Sequence, residues 1–188
     1  MKTFLCALML LLGLPGLRAG ETFAHLDDTG LLLASEPDWM LRCETGLAEF
    51  ESKRGIKILV RYHLKSPSEA EDKKPGAYMH ALAQKLGVDR AGVLVVYFHD
   101  DPDWRVWIGD ELANLFTGKP GTVQELTASE AIHNVKEAML TAAHAQAEQA
   151  MVRAQEAAPE KKPLTVSQRL VIQTDILLEA LKAKFAAK

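Results

Sequence analysis

Gly92-Val93-Leu94-Val95-Val96-Tyr97-Phe98, then Asp100-Asp101-Pro102-Asp103, then Trp104-Arg105-Val106-Trp107-Ile108-Gly109, is the stretch that decides the fold. The first run is almost wholly apolar, the pattern of a strand covered on both faces. The last run alternates in its middle, as a half-covered strand does. The acidic tip between them is turn chemistry, in which Asp caps its own backbone and Pro fixes φ. Trp104, Val106 and Ile108 then face one way and Arg105 and Trp107 the other. One of those faces must be core. The other leaves Trp107 and Arg105 as candidate partner contacts, residue types frequent among interface anchors.

Outward from this hairpin, the chain is punctuated for helices. Pro37 sits in the first turn of a helix that starts at Ser35 or Glu36 and runs to about Lys53, with Gly55 as its C-cap. The run from Ile56 to Tyr62 is rich in β-branched residues and reads as a strand. Residues 65–76, with Pro67, Pro75 and Gly76, read as an exposed loop. A short helix spans 77–86 and is closed by Gly87. One or two helical turns follow at 111–116. The order helix, strand, helix, strand, strand is that of an α/β layer. Residues 25–35 read as a loop and an apolar segment.

The last third, residues 124–188, differs. Thr127-Ala128-Ser129-Glu130 has capping-box spacing and precedes an alanine-rich helix to about Ala157. Thr165-Val166-Ser167-Gln168 has the same spacing before a helix to about Phe185 with a broad apolar face. This helical pair packs on the α/β core; dimerisation through it is the alternative.

The first residues bear on the compartment. Met1-Lys2, an apolar run from Phe4 to Leu14, the breakers Pro15 and Gly16, and Ala19 have the layout of a cleaved signal peptide over residues 1–19. The expectation is a secreted or periplasmic protein with no membrane span in the mature chain. Cleavage there removes Lys2 and Arg18, leaving 20 basic against 25 acidic residues, a net charge of −5. That balance argues against a nucleic-acid partner. Cys43 alone remains of the two cysteines, so no internal disulfide supports the fold, and its helical setting suggests a buried, unreactive thiol.

Several of these steps together resemble the TPM domain, a family of thylakoid-lumen, photosystem II repair and receptor-modulator type. They are Asp28-Thr29-Gly30-Leu31-Leu32, Phe50-Glu51 before Gly55-Ile56-Lys57-Ile58-Leu59-Val60, Ala77-Tyr78, Gly92-Val93-Leu94, and Arg105-Val106-Trp107-Ile108-Gly109. The resemblance covers residues 25–117. Gly109-Asp110-Glu111-Leu112-Ala113 lacks the second glycine and terminal acid the family often carries, and the C-terminal third is longer than its norm. The resemblance implies a mixed sheet of about four strands with helices on both faces. It also implies upkeep of envelope or membrane proteins, with weak acid phosphatase activity or calcium binding in some members.

The candidate chemistry is acidic. Asp100, Asp101 and Asp103 crowd the hairpin tip beyond a strand's carboxyl end, and Asp28 and Asp89 approach from neighbouring loops. Carboxylates suit calcium or another divalent cation, so Asp28, Asp89, Asp100 and Asp101 form a candidate shared site. No calcium-loop spacing occurs. His63, His80 and His99 flank strands, and His133 and Glu137 share a helix face at i, i+4. No phosphate loop or nucleophile elbow is present, and Ser35, Ser52, Ser66 and Ser68 show no partner base. The expectation is therefore an α/β binding module for an envelope or membrane protein, with a divalent-metal-assisted acid phosphatase as the alternative.

Overall fold

The computed structural model describes residues 24–158 and 162–186. The expected leader, residues 1–19, lies outside them. The fold is a four-stranded mixed sheet with helices on both faces and a C-terminal helical pair. In chain order the elements are β1 (Leu26–Asp27), α1 (Pro37–Arg54), β2 (Lys57–His63), α2 (Ala77–Lys85), β3 (Gly92–Phe98) and β4 (Asp103–Ile108). A 3-10 turn (Asp110–Leu112) follows, then α3 (Ala113–Thr117), α4 (Val123–Ala128), α5 (Ala131–Ala157) and α6 (Val166–Ala186).

Strand order is β1-β2-β3-β4, with β1, β2 and β3 parallel and β4 antiparallel to β3. All seven residues of β3 are buried, as its unbroken apolar run requires of a central strand. The alternation of side chains divides the core. Ile58, Val60, Tyr62, Val93, Val95, Tyr97, Val106 and Ile108 meet α1, α5 and α6 on one face. Leu59, Leu94, Val96 and Phe98 meet α2 on the other. Gly109 ends β4 where a Cβ would strike the Arg90 carbonyl and lie 2.8 Å from that of Gly92, so only glycine lets the two chain segments close.

The C-terminal helix is core, not appendage. Leu177, Leu178, Leu181 and Phe185 lie in the same cluster as β2 and β3. The Tyr62 hydroxyl meets the Thr174 hydroxyl at 2.6 Å with both side chains buried, and Thr174 donates onward to the Leu170 carbonyl. Trp39 Nε1 of α1 donates to Asp175. Cys43 is partly buried against this cluster; burial, with Asp175 nearby, pushes its thiol up to about 12.

Two expectations change. Residues 26–27, read as loop, form the edge strand β1, with Leu26 opposite Val60. The capping box belongs to α4, five residues earlier than its expected place. The Thr122 hydroxyl accepts from the Glu125 N–H at 3.2 Å, and the Glu125 carboxylate accepts from the Thr122 N–H at 2.7 Å. Thr127 and Ala128 lie inside α4, and Glu130 turns the chain into α5 with φ +56°. The later box forms as expected between Thr165 and Gln168.

Candidate functional site: the groove along the open edge of the sheet

A concavity of about 1060 Å³ runs along β4. Its floor is the strand itself. One wall is α5, and the other is the end of the 65–76 loop with the start of α2, including Pro75, Gly76 and Met79. The wall on α5 is one stripe of that helix, His133, Lys136, Glu137, Leu140, Thr141 and His144, at the i, i+3, i+4, i+7 recurrence of a single face. Met139, Ala143, Ala147 and Met151, on the adjoining stripe, are buried against the core, and Ala143 and Ala147 also reach the groove.

The edge presents unpaired backbone. The Gly109 N–H donates to the Gly92 carbonyl at 2.9 Å. The hydrogen-bonded pairs of the ladder are therefore Leu94 with Trp107, Val96 with Arg105 and Phe98 with Asp103. The intervening Trp104, Val106 and Ile108 aim their N–H and C=O groups away from β3, into the groove. Among the described residues no backbone group meets them.

Charge in the groove is organised. Arg105 is held by Asp72 at 3.0 Å and Asp103 at 3.3 Å, with its guanidinium over the Phe98 ring at 5.0 Å. Trp107 is half-buried, stacks on His80 with ring centroids 4.8 Å apart, and donates from Nε1 to the Asp89 carbonyl. Both sequence-expected partner residues thus line the groove, as rigid, already-braced side chains. Lys136 is different. It is partly buried, and no carboxylate lies within ion-pair distance of its ammonium among the described residues. Burial lowers its pKa from the ordinary lysine value, with Glu137 opposing. Sequence reading passed over Lys136; its i+3 relation to His133 on an otherwise polar stripe was the available signal.

The four candidate metal-binding carboxylates are not assembled into one site. Asp28, Asp100 and Asp101 follow the carboxyl ends of β1 and β3, whereas Asp89 precedes β3 at the opposite end of the sheet. Both Asp28 oxygens accept backbone N–H groups, from Leu32 at 2.9 Å and Leu33 at 2.7 Å, and burial raises its pKa. Asp100 accepts from the Ser66 N–H and hydroxyl and the Asp101 N–H, and the Ser66 hydroxyl contributes most to holding it below the usual carboxylate range. Asp101 is exposed on the turn. Of the four, Asp28 and Asp100 close loops. Among the described residues no group of three or more His, Cys, Asp or Glu side chains is placed to hold a metal ion.

The histidines do not converge either. His63 Nδ1 meets the Tyr78 hydroxyl at 3.2 Å, His80 stacks on Trp107, and His99 lies beside Tyr97. Three of the serines are engaged elsewhere: Ser35 with Ser167, Ser66 with Asp100 and Ser68 with Glu71. No helix among the described residues is long and apolar enough to cross a membrane. Comparison of the chain with protein-family models, with curated proteins and with solved structures finds no match in any of the three.

Proposed function

We propose that this protein is a non-catalytic binding module that takes an extended segment of a partner protein as a fifth strand along β4. The observation that carries the reading is the groove floor, where Trp104, Val106 and Ile108 offer three N–H and three C=O groups between two side-chain walls. Main-chain pairing of this kind supplies affinity, and the walls supply specificity. Trp107 and Arg105 form the rim residues that an incoming strand would touch first.

The leader-like start of the sequence supports a location outside the cytoplasm for this work. The resemblance of residues 25–117 to TPM domains makes an envelope or membrane protein the expected partner.

The test is a displayed library of random heptapeptides panned on the protein, with amide hydrogen exchange mapping the selected ligands. Binding should slow exchange at Trp104, Val106 and Ile108 while leaving Arg105 and Trp107 as they were. Trp107→Ala should weaken the selected ligands by about tenfold, the scale of a lost aromatic contact. Ligands that leave the three outward amides unprotected, or a library that yields none, would overturn the reading.

A further inference from the structure

The groove has unequal ends. Ala131, which opens α5, packs with Ala113, just beyond the end of β4. Near the other end of that helix, Glu148 and Met151 share a second cavity of about 440 Å³ with Tyr97 and Pro102 at the hairpin tip. Helix α5 therefore runs back along β4 in the opposite sense. Its early residues, Lys136 among them, lie toward Ile108, and its late residues toward Pro102. At the Ile108 end, Val123 and Thr127 of α4 and the connecting Glu130 also line the groove, so α4 forms part of its wall there. At the Pro102 end the groove meets the second cavity, with which it shares Pro102 and Gln173.

Lys136, the lysine lining this end of the groove, makes no ion pair among the described residues although Glu137 lies near it, and such a cation suits a chain terminus. The other cation of the groove, Arg105, is already neutralised by Asp72 and Asp103. We infer that Lys136 receives the C-terminal carboxylate of the bound segment, so the groove reads protein tails that end in an extended conformation. The added strand then runs parallel to β4, its last residue near Ile108 and its preceding residues leaving past Pro102. Lowering of the Lys136 pKa by burial has the same origin, since an ammonium held among groove walls lacks the water that would otherwise solvate it. A carboxylate arriving there restores a partner to a partly desolvated charge.

This inference rests on the strand-addition reading, and the experiment separates the two. Heptapeptides selected from a library displayed with free C-termini are synthesised in two forms, carboxylate and C-terminal amide, the latter retaining any Asp or Glu side chains. Each is titrated into the wild-type protein and into Lys136→Met and Lys136→Arg, with exchange at Trp104, Val106 and Ile108 read in the same samples. Amidation should cost the wild type about ten- to a hundredfold in affinity, the worth of a charge-assisted hydrogen bond. It should cost Lys136→Met nothing, and Lys136→Arg most of the wild-type amount. Peptides that protect the β4 amides but bind equally well as amides would overturn the terminus inference and leave strand addition standing. Equal binding of amides that remains Lys136-dependent, through an acidic side chain, would overturn it too. Failure to protect the β4 amides would overturn both.

Discussion

The two edges of the sheet are finished in opposite ways. At the β1 edge the strand is two residues long, and its backbone is taken up by side chains. Glu44 of α1 accepts from the N–H groups of Ala24, His25 and Leu26 and meets His25 Nδ1 at 2.8 Å, while Glu51 meets His25 Nε2 at 2.7 Å. The His25 carbonyl accepts from the Val60 N–H and from Arg61. His25 is only 4% exposed within this net. At the β4 edge the strand is six residues long, and three of its N–H groups meet no backbone partner among the described residues. An unfinished strand edge invites pairing with another chain, and proteins normally shorten or cover it. This chain does so on one side only. The lesson is that the β4 edge is open by comparison with a neighbour that shows how the same chain closes one.

The largest effect should come from unmaking the closed edge. Glu44→Ala strands several N–H groups and one ring nitrogen in a mostly buried place, and should cost about 3 kcal/mol by urea unfolding. Loss of less than about 1 kcal/mol would show that water replaces the carboxylate freely and that this edge is not held as described.

The same carboxylate gives the comparison a pH signature. Burial opposes ionisation of Glu44, but hydrogen bonds from the His25 ring and from the N–H groups of His25 and Leu26 outweigh it, and the pKa falls below the ordinary 4.5. A depressed folded-state value means its stabilisation is present above pH 4.5 and is lost as the pH falls through the folded value. The difference in stability between wild type and Glu44→Gln should therefore narrow on acidification below pH 4.5. A gap constant with pH would assign it to packing alone.

The open edge is sharpened by exchange in the free protein. Amides of Arg105 and Trp107, paired to Val96 and Leu94, should exchange at least about tenfold more slowly than those of Trp104 and Val106, since only paired amides require an opening event. Uniform protection along β4 would mean the edge is already covered in solution. The smallest effect is a control beyond the groove: Arg90 and Glu111 meet at 2.7 Å, but both are well exposed. Arg90→Ala should change stability by no more than about 0.5 kcal/mol.

How much of this the sequence reveals depends on whether the controlling contact is local. The β3–β4 hairpin was legible because an apolar run, an Asp-Pro turn and an alternating run each carry their own signal. The helices were legible for the same reason, with Pro37 and Gly55 bounding α1. The strand β1 was not, because its start is held from a distance, Leu26 by Glu44 and the preceding His25 by Glu44 and Glu51, and its two residues carry almost no pattern of their own. The capping box was misplaced because Thr122-Glu125 and Thr127-Glu130 share one spacing. The alanine-rich run drew attention to the second, while Glu130 lies in a left-handed turn that spacing cannot announce.

Of the site, Trp107 and Arg105 were legible as large side chains on the second face of an alternating strand. For the acidic cluster, charge density does not reveal whether each carboxylate already caps its own loop, as Asp28 and Asp100 do. The groove is set by where α5 returns across the sheet, a property of the whole chain that no window of residues contains.

The burial of α6 against β2 and β3 also sets an order of events during synthesis. The strands and α1 leave the ribosome well before Leu177, Leu181 and Phe185, which are needed to roof their face. At about 5–20 residues per second, the interval between Phe116 and Phe185 lasts roughly 3–14 s. Throughout it the nascent sheet has an unroofed apolar face as well as a free edge, so a chain stalled or cleaved within α5 should be prone to aggregation and should depend on chaperones. The last helix is thus also the step that commits the nascent chain to solubility.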